Sequence, residues 1–139
     1  TVQDHVGPRT ISDVAIKAAL AGNSRSIYYG ITRVEENAAG AEANQENRNL
    51  LLSKNAKADS DPVLEILTAD VVRCGHAATV GPVDQEALFY LQSRGLDRRT
   101  ALQLLISGFF QSVAESTGIE NIADDIEKTV FAKLAKAEL

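Results

Sequence analysis

The stretch Val71-Val72-Arg73-Cys74-Gly75-His76-Ala77-Ala78-Thr79-Val80-Gly81, followed by Asp84-Gln85-Glu86-Ala87-Leu88-Phe89-Tyr90-Leu91-Gln92-Ser93-Arg94-Gly95, decides how this chain is read. Its first part is strand-like, and from Asp84 the period becomes helical. Asp84 is placed to cap a helix, Glu86 puts negative charge in the first turn, and Gly95 supplies a stop. The only cysteine stands two residues before one of the two histidines. Side chains on an extended chain alternate, so Cys74 and His76 point to one face. That face offers a metal one soft sulfur and one borderline nitrogen. Two donors do not complete a tetrahedral site, so the remaining ligands would come from elsewhere, another chain included.

Upstream, residues 1 to about 82 read as short strands. Thr10–Ala19 carries apolar Val14 and Ile16 before a Gly22-Asn23-Ser24 turn, and Ser26–Val34 alternates through Ile27, Tyr29 and Ile31 with a slip at Val34. Asn37 to Gly40 signals another turn. Leu50–Ser53, Val63–Leu67 and Val71–Arg73 follow. The amide-rich tract Glu42–Asn49 reads most simply as a polar turn, although in stacked coils such side chains could also ladder. Short strands with frequent turns and no helical pattern between them fit a sandwich, a barrel or a solenoid. No strict repeat chooses among these.

Downstream, Asp97 is expected to cap a longer helix with Leu102, Leu105, Ile106, Phe109, Phe110 and Val113 on a buried stripe, ended by Gly118. A third helix carries Ile122, Ile126, Val130 and Leu134 at every fourth position. Three helices with such short connections should pack on one another and on the last strands. Phe89 and Tyr90, beside Leu88 and Leu91, make the first helix apolar around much of its surface, as burial on two sides or an interface would require.

Composition narrows the class. The 139 residues are 45% hydrophobic with a net charge of −5, which fits a folded, soluble protein and argues against nucleic acid as a partner. No apolar run approaches the roughly 20 residues of a membrane span, and the N-terminus does not read as a signal peptide. A single cysteine makes no internal disulfide, which suits a reducing, cytoplasmic location. No P-loop, G-x-S-x-G elbow, C-x-x-C pair or H-E-x-x-H motif occurs, so no enzyme constellation stands out and ATP binding of the P-loop kind is not expected.

Four pieces together resemble the SufB/SufD family, the scaffold subunits of the SUF iron–sulfur cluster assembly machine. They are Arg48-Asn49-Leu50-Leu51-Leu52, Pro62-Val63-Leu64-Glu65-Ile66, Cys74-Gly75-His76-Ala77-Ala78-Thr79-Val80-Gly81, and Asp84 through Gly95. Their order and spacing match the family over most of the chain, and the string Leu88-Phe89-Tyr90-Leu91-Gln92-Ser93-Arg94-Gly95 is specific. The Cys-x-His pair is more similar to SufD than to SufB. Ala77-Ala78 departs from the Gly-Ala of many relatives.

The resemblance implies a mainly β fold with C-terminal α structure: the end of a right-handed parallel β-helix over residues 1–82, then a small helical domain over 83–139. It covers only the C-terminal part of such a subunit, so a fragment is expected. It implies a non-catalytic scaffold that pairs with a SufB-type subunit through the β-helix and with a SufC-type ABC ATPase through the helices. Cys74 and His76 would then face a subunit interface where iron or an iron–sulfur cluster is held transiently, with no cofactor tightly bound to this piece. In isolation, a homodimer is a further allowed assembly.

Each sharp reading has a plainer one beside it. Cys74 can be a buried small hydrophobe. His76 can satisfy a terminal carbonyl, although a neutral imidazole is also a common ligand. His5 has no partner motif and reads as structural or exposed. Glu65, between Leu64 and Ile66, reads as solvating a strand face, and Arg94 as complementing the negative end of its helix. The competing functions are a solenoid interaction module without metal chemistry and, less well supported, a mononuclear metal enzyme. The latter lacks a third ligand and a base.

Overall fold

Strand follows strand from Val2 to Pro82, and helices begin only after it. The computed structural model describes residues 1–119 and 121–137. Among these the strands are β1 (Val2–His5), β2 (Ile11–Leu20), β3 (Arg25–Val34), β4 (Ala41–Leu51), β5 (Lys57–Ile66) and β6 (Val71–Pro82). The helices are α1 (Gln85–Ser93), α2 (Arg98–Ser116) and α3 (Ile122–Leu134). The expected helical stretch 83–139 includes Glu120, Glu138 and Leu139, which lie outside the described residues.

Successive strands alternate between two parallel three-stranded sheets, ordered β1-β3-β5 and β2-β4-β6. Val2 lies opposite Ile31 and His5 opposite Val34. In the other sheet the Glu42 N–H donates to Thr10 O at 2.9 Å and the Leu52 N–H to Leu20 O at 2.8 Å. Both partners advance together along the chain, as a parallel ladder requires. Parallel neighbours need a long return, and here the intervening strand of the other sheet supplies it.

Burial on the strands corrects one reading made from sequence and assigns the faces of another strand. Along β4 the buried residues are Ala41, Ala43, Gln45, Asn47 and Asn49, so the tract Glu42–Asn49 is the middle of a strand and not a turn. The period of two is present, but it separates small and amide residues inside from Glu42, Asn44, Glu46 and Arg48 on the other face. Two of the three buried amides are tied to each other and to a serine. Asn49 Nδ2 donates to Asn47 Oδ1 at 2.6 Å, and Ser60 Oγ donates to the same oxygen at 2.7 Å. On β3 the inward row is Tyr28, Gly30, Thr32 and Val34, whereas the apolar alternation of Ile27 and Tyr29 lies on the exposed face.

The chain divides into two compact units. The first comprises Thr1–Ala18, Arg25–Asn49 and Ala58–Val80. Its apolar centre is Val34, Ala38 and Ala41, with Val71 and Cys74 packed against them. Its polar interior fixes His5. Thr10 Oγ1 donates to Gly7 O at 3.2 Å, which leaves that oxygen to accept from His5 Nδ1–H at 2.6 Å. Gln3 Nε2 donates to Ser12 Oγ at 2.7 Å, and the Ser12 hydroxyl turns its hydrogen to His5 Nε2, also at 2.7 Å. His5 is therefore structural, only 3% exposed, and ties β1 to the start of β2.

The second unit comprises Ala19–Ser24, Leu50–Lys57 and Gly81–Leu139. Val83, Leu88, Ala101 and Leu102 form its core, packed with Leu50, Leu52, Leu91, Leu96 and Leu105. Each fully buried leucine here contributes about 1.5–3 kcal/mol. The helices pack as their spacing predicts, α1 on α2 and α2 on α3. Asp84 caps α1 by accepting from the Glu86 and Ala87 N–H groups, and Asp97 caps α2 by accepting from Thr100. Gly95 stops α1 at φ +95°, a conformation that an L side chain resists.

Candidate functional site at the outer strand

Cys74 and His76 both lie on β6, an unbroken strand, so they share one face. β6 is the outer strand of its sheet among the described residues and pairs only with β4. The Gly40 N–H donates to Asp70 O at 2.8 Å, which by parallel geometry sets Cys74 opposite Ala43 and His76 opposite Gln45. This is the inward row of the sheet. Cys74 is half-buried against Val34, Ala38 and Ala41, whereas His76 is exposed.

The rest of that row is uncovered and apolar. Val72 is 68% exposed and Val80 45%, and Ile66 and Leu67 at the end of β5 are also exposed. Residues of the row that is buried on β4 are exposed on β6, where no further strand stacks beside them among the described residues. β5 is the outer strand of the other sheet and carries Pro62, which cannot donate a ladder hydrogen bond. β6 has no proline before Pro82, so its backbone edge is the more open to pairing. Reading β6 for metal donors alone misses these apolar residues. The signal was present as Val72, Ala78 and Val80 in register with Cys74 and His76.

Burial pushes the Cys74 thiol above its ordinary value, so at neutral pH it stays protonated. A metal arriving here must displace that proton. Among the described residues no group of three or more His, Cys, Asp or Glu side chains converges as a metal site. Cys74 and His76 supply two donors, which do not make a complete site.

The remaining candidates fall elsewhere. Glu65 is exposed on β5 with the Arg33 guanidinium 3.8 Å away, a surface ion pair. Arg94 closes α1, and its guanidinium sits 5.1 Å over the Tyr90 ring. Beside it Phe89 is 73% exposed and Tyr90 55%, while Leu88 on the same helix is buried. A groove of about 330 Å³ lies between α2 and α3, lined by Leu104, Phe110, Ile126, Val130 and neighbouring polar residues. No helix of the described residues is long and apolar enough to cross a membrane.

Residues 1–109 match the family described as "SUF system FeS cluster assembly, SufBD core domain". The chain is 34% identical to an iron–sulfur cluster assembly SufBD family protein of Mycobacterium tuberculosis, over 97% of this chain and 36% of that protein. It is 35% identical to the iron–sulfur cluster assembly protein SufD of Bacillus subtilis, over 94% of this chain and 30% of that protein. It is 36% identical to SufD of Escherichia coli, over 85% of this chain and 28% of that protein. The chain thus spans about a third of the length of these curated relatives.

Proposed function

Because this chain belongs to the SufBD core family of the SUF iron–sulfur cluster assembly system, we propose that it serves as part of a SufD-like, non-catalytic scaffold subunit. The alternation of strands between two parallel sheets supports reading residues 1–82 as coils of a right-handed parallel β-helix, with the helices of 83–139 as a separate domain. One observation carries the functional reading. The outer strand β6, whose far edge has no partner strand among the described residues, presents Cys74 and His76 within an exposed apolar row. A SufB-type partner pairing there would bury Val72 and Val80 and bring the missing donors to Cys74 and His76. Iron or a nascent cluster is the cargo held between the subunits, not a resident cofactor of this chain.

The helical part is the proposed docking surface for a SufC-type ABC ATPase. Phe89, Tyr90 and Arg94 form an exposed aromatic and charged group of the kind enriched at interfaces. This chain carries no phosphate-binding loop, so nucleotide hydrolysis belongs to the partner. The cytoplasm is the proposed compartment, where a lone thiol stays reduced.

The test is anaerobic co-expression of the subunit with SufB-type and SufC-type partners, followed by iron and sulfide analysis. Cys74→Ala with His76→Ala should lower cluster content while the complex still assembles. Full cluster content in the double variant would leave a solenoid interaction module without metal chemistry as the better reading.

A further inference from the structure

The interior between β3 and β4 is polar where an apolar filling is usual. Gln45 is fully buried, yet neither Oε1 nor Nε2 has a hydrogen-bond partner among the described residues. Asn49, also buried, donates through Nδ2 to Asn47 but leaves Oδ1 unpaired. Buried amides bear the full desolvation penalty unless something completes their bonds. The surroundings leave the neighbourhood of Gln45 to small or polar groups. A Cβ at Gly30 would run into Gln45 Nε2 and the Tyr28 hydroxyl, so glycine is what lets those two groups reach the same place. Ala43 and Thr32 are buried on the same two strands and are short as well.

We propose that this interior is a built hydration site. One ordered water donates to Gln45 Oε1 and accepts from Gln45 Nε2 or the Tyr28 hydroxyl. A second donates to Asn49 Oδ1. The chemistry selects water over an ion. The inward residues of β3 and β4 here are Tyr28, Gly30, Thr32, Gln45, Asn47 and Asn49, with Ser60 reaching Asn47 and His76 of β6 opposite Gln45, and none is a carboxylate or an ammonium that would balance an ion. A small neutral molecule that both donates and accepts matches two orphaned acceptors and one orphaned donor. The site rests on the first unit alone and is independent of any metal role for Cys74 and His76.

A high-resolution crystal structure of the chain, alone and as the Gln45→Met variant, is the test. Wild type should show water at near-full occupancy within hydrogen-bond distance of Gln45 Oε1 and of Asn49 Oδ1. Gln45→Met should lose the first water and keep the second. A Gln45 amide bonded directly to the Tyr28 hydroxyl or to a backbone carbonyl, with no water in reach, overturns the proposal. So does a first water that persists unchanged beside the thioether side chain of the variant. If Gln45→Met does not fold, the wild-type map decides alone.

Discussion

A thiol two residues from an imidazole invites metal chemistry, but burial decides the state of the free Cys74 thiol. Its raised pKa keeps the neutral form at physiological pH. Alkylation followed by mass spectrometry should therefore be slower than for a model thiol at pH 7.5, and should accelerate only above the ordinary thiol range of about 8.5. The linked stability effect has a definite sign. The folded value lies above the unfolded one, so the full stability is present below the unfolded pKa and declines as pH rises towards the folded one. Cys74→Ser should flatten that alkaline decline. The second histidine is a different case. His5 joins Thr10 and Ser12 across both ring nitrogens inside the first unit. His5→Ala leaves both hydroxyls short of a partner and opens a void, so urea denaturation should show a loss of about 2–4 kcal/mol. Nitrogen-15 shifts should identify the Nδ1–H tautomer, because the Thr10 hydroxyl is committed to Gly7 O.

Helix starts were legible because their chemistry is local. Asp84 and Asp97 cap where the sequence places them, and Gly95 ends α1. Thr100, through its hydroxyl first and its backbone N–H second, holds Asp97 below the usual carboxylate range. A depressed folded value means the cap's contribution is present above the unfolded pKa of about 3.9 and is lost as pH falls through the folded one. Asp97→Ala should speed hydrogen exchange at Thr100 and Ala101 at neutral pH, whereas Asp97→Asn should keep the cap and remove its acid dependence. The strand interior was harder to read. Hydrophobic periodicity marks a face only when the inside is apolar, and on β4 the inward row contains the amides Gln45, Asn47 and Asn49. On β3 the apolar row of Ile27 and Tyr29 is the outer one, so the alternation marks the strand without marking its buried face. Gly30→Ala tests the inward assignment. Its Cβ would meet Gln45 and Tyr28, and the variant should lose about 1–3 kcal/mol in chemical denaturation.

At the scale of the whole molecule, the shared face of Cys74 and His76 could be read from a period of two, but its open edge could not. Which strand ends a sheet depends on pairings far apart in the chain. Val72→Lys places a charge in the exposed row and should weaken association with a SufB-type subunit by tenfold or more in binding assays, with little change in stability. Phe89→Ala should weaken binding of the ATPase while leaving that association intact, because Phe89 is largely exposed on α1. The polar filling of β4 also has a calorimetric consequence. Unfolding raises heat capacity in proportion to newly wetted apolar surface, and polar surface subtracts from it. A chain of 139 residues would ordinarily show an increment of about 1.7–2.1 kcal/mol/K. With Gln3, His5, Thr32, Gln45, Asn47 and Asn49 among the buried residues, scanning calorimetry should give a value below that range. The stability curve should accordingly be broad and shallow, with a folded state that changes little in stability between cool and warm conditions.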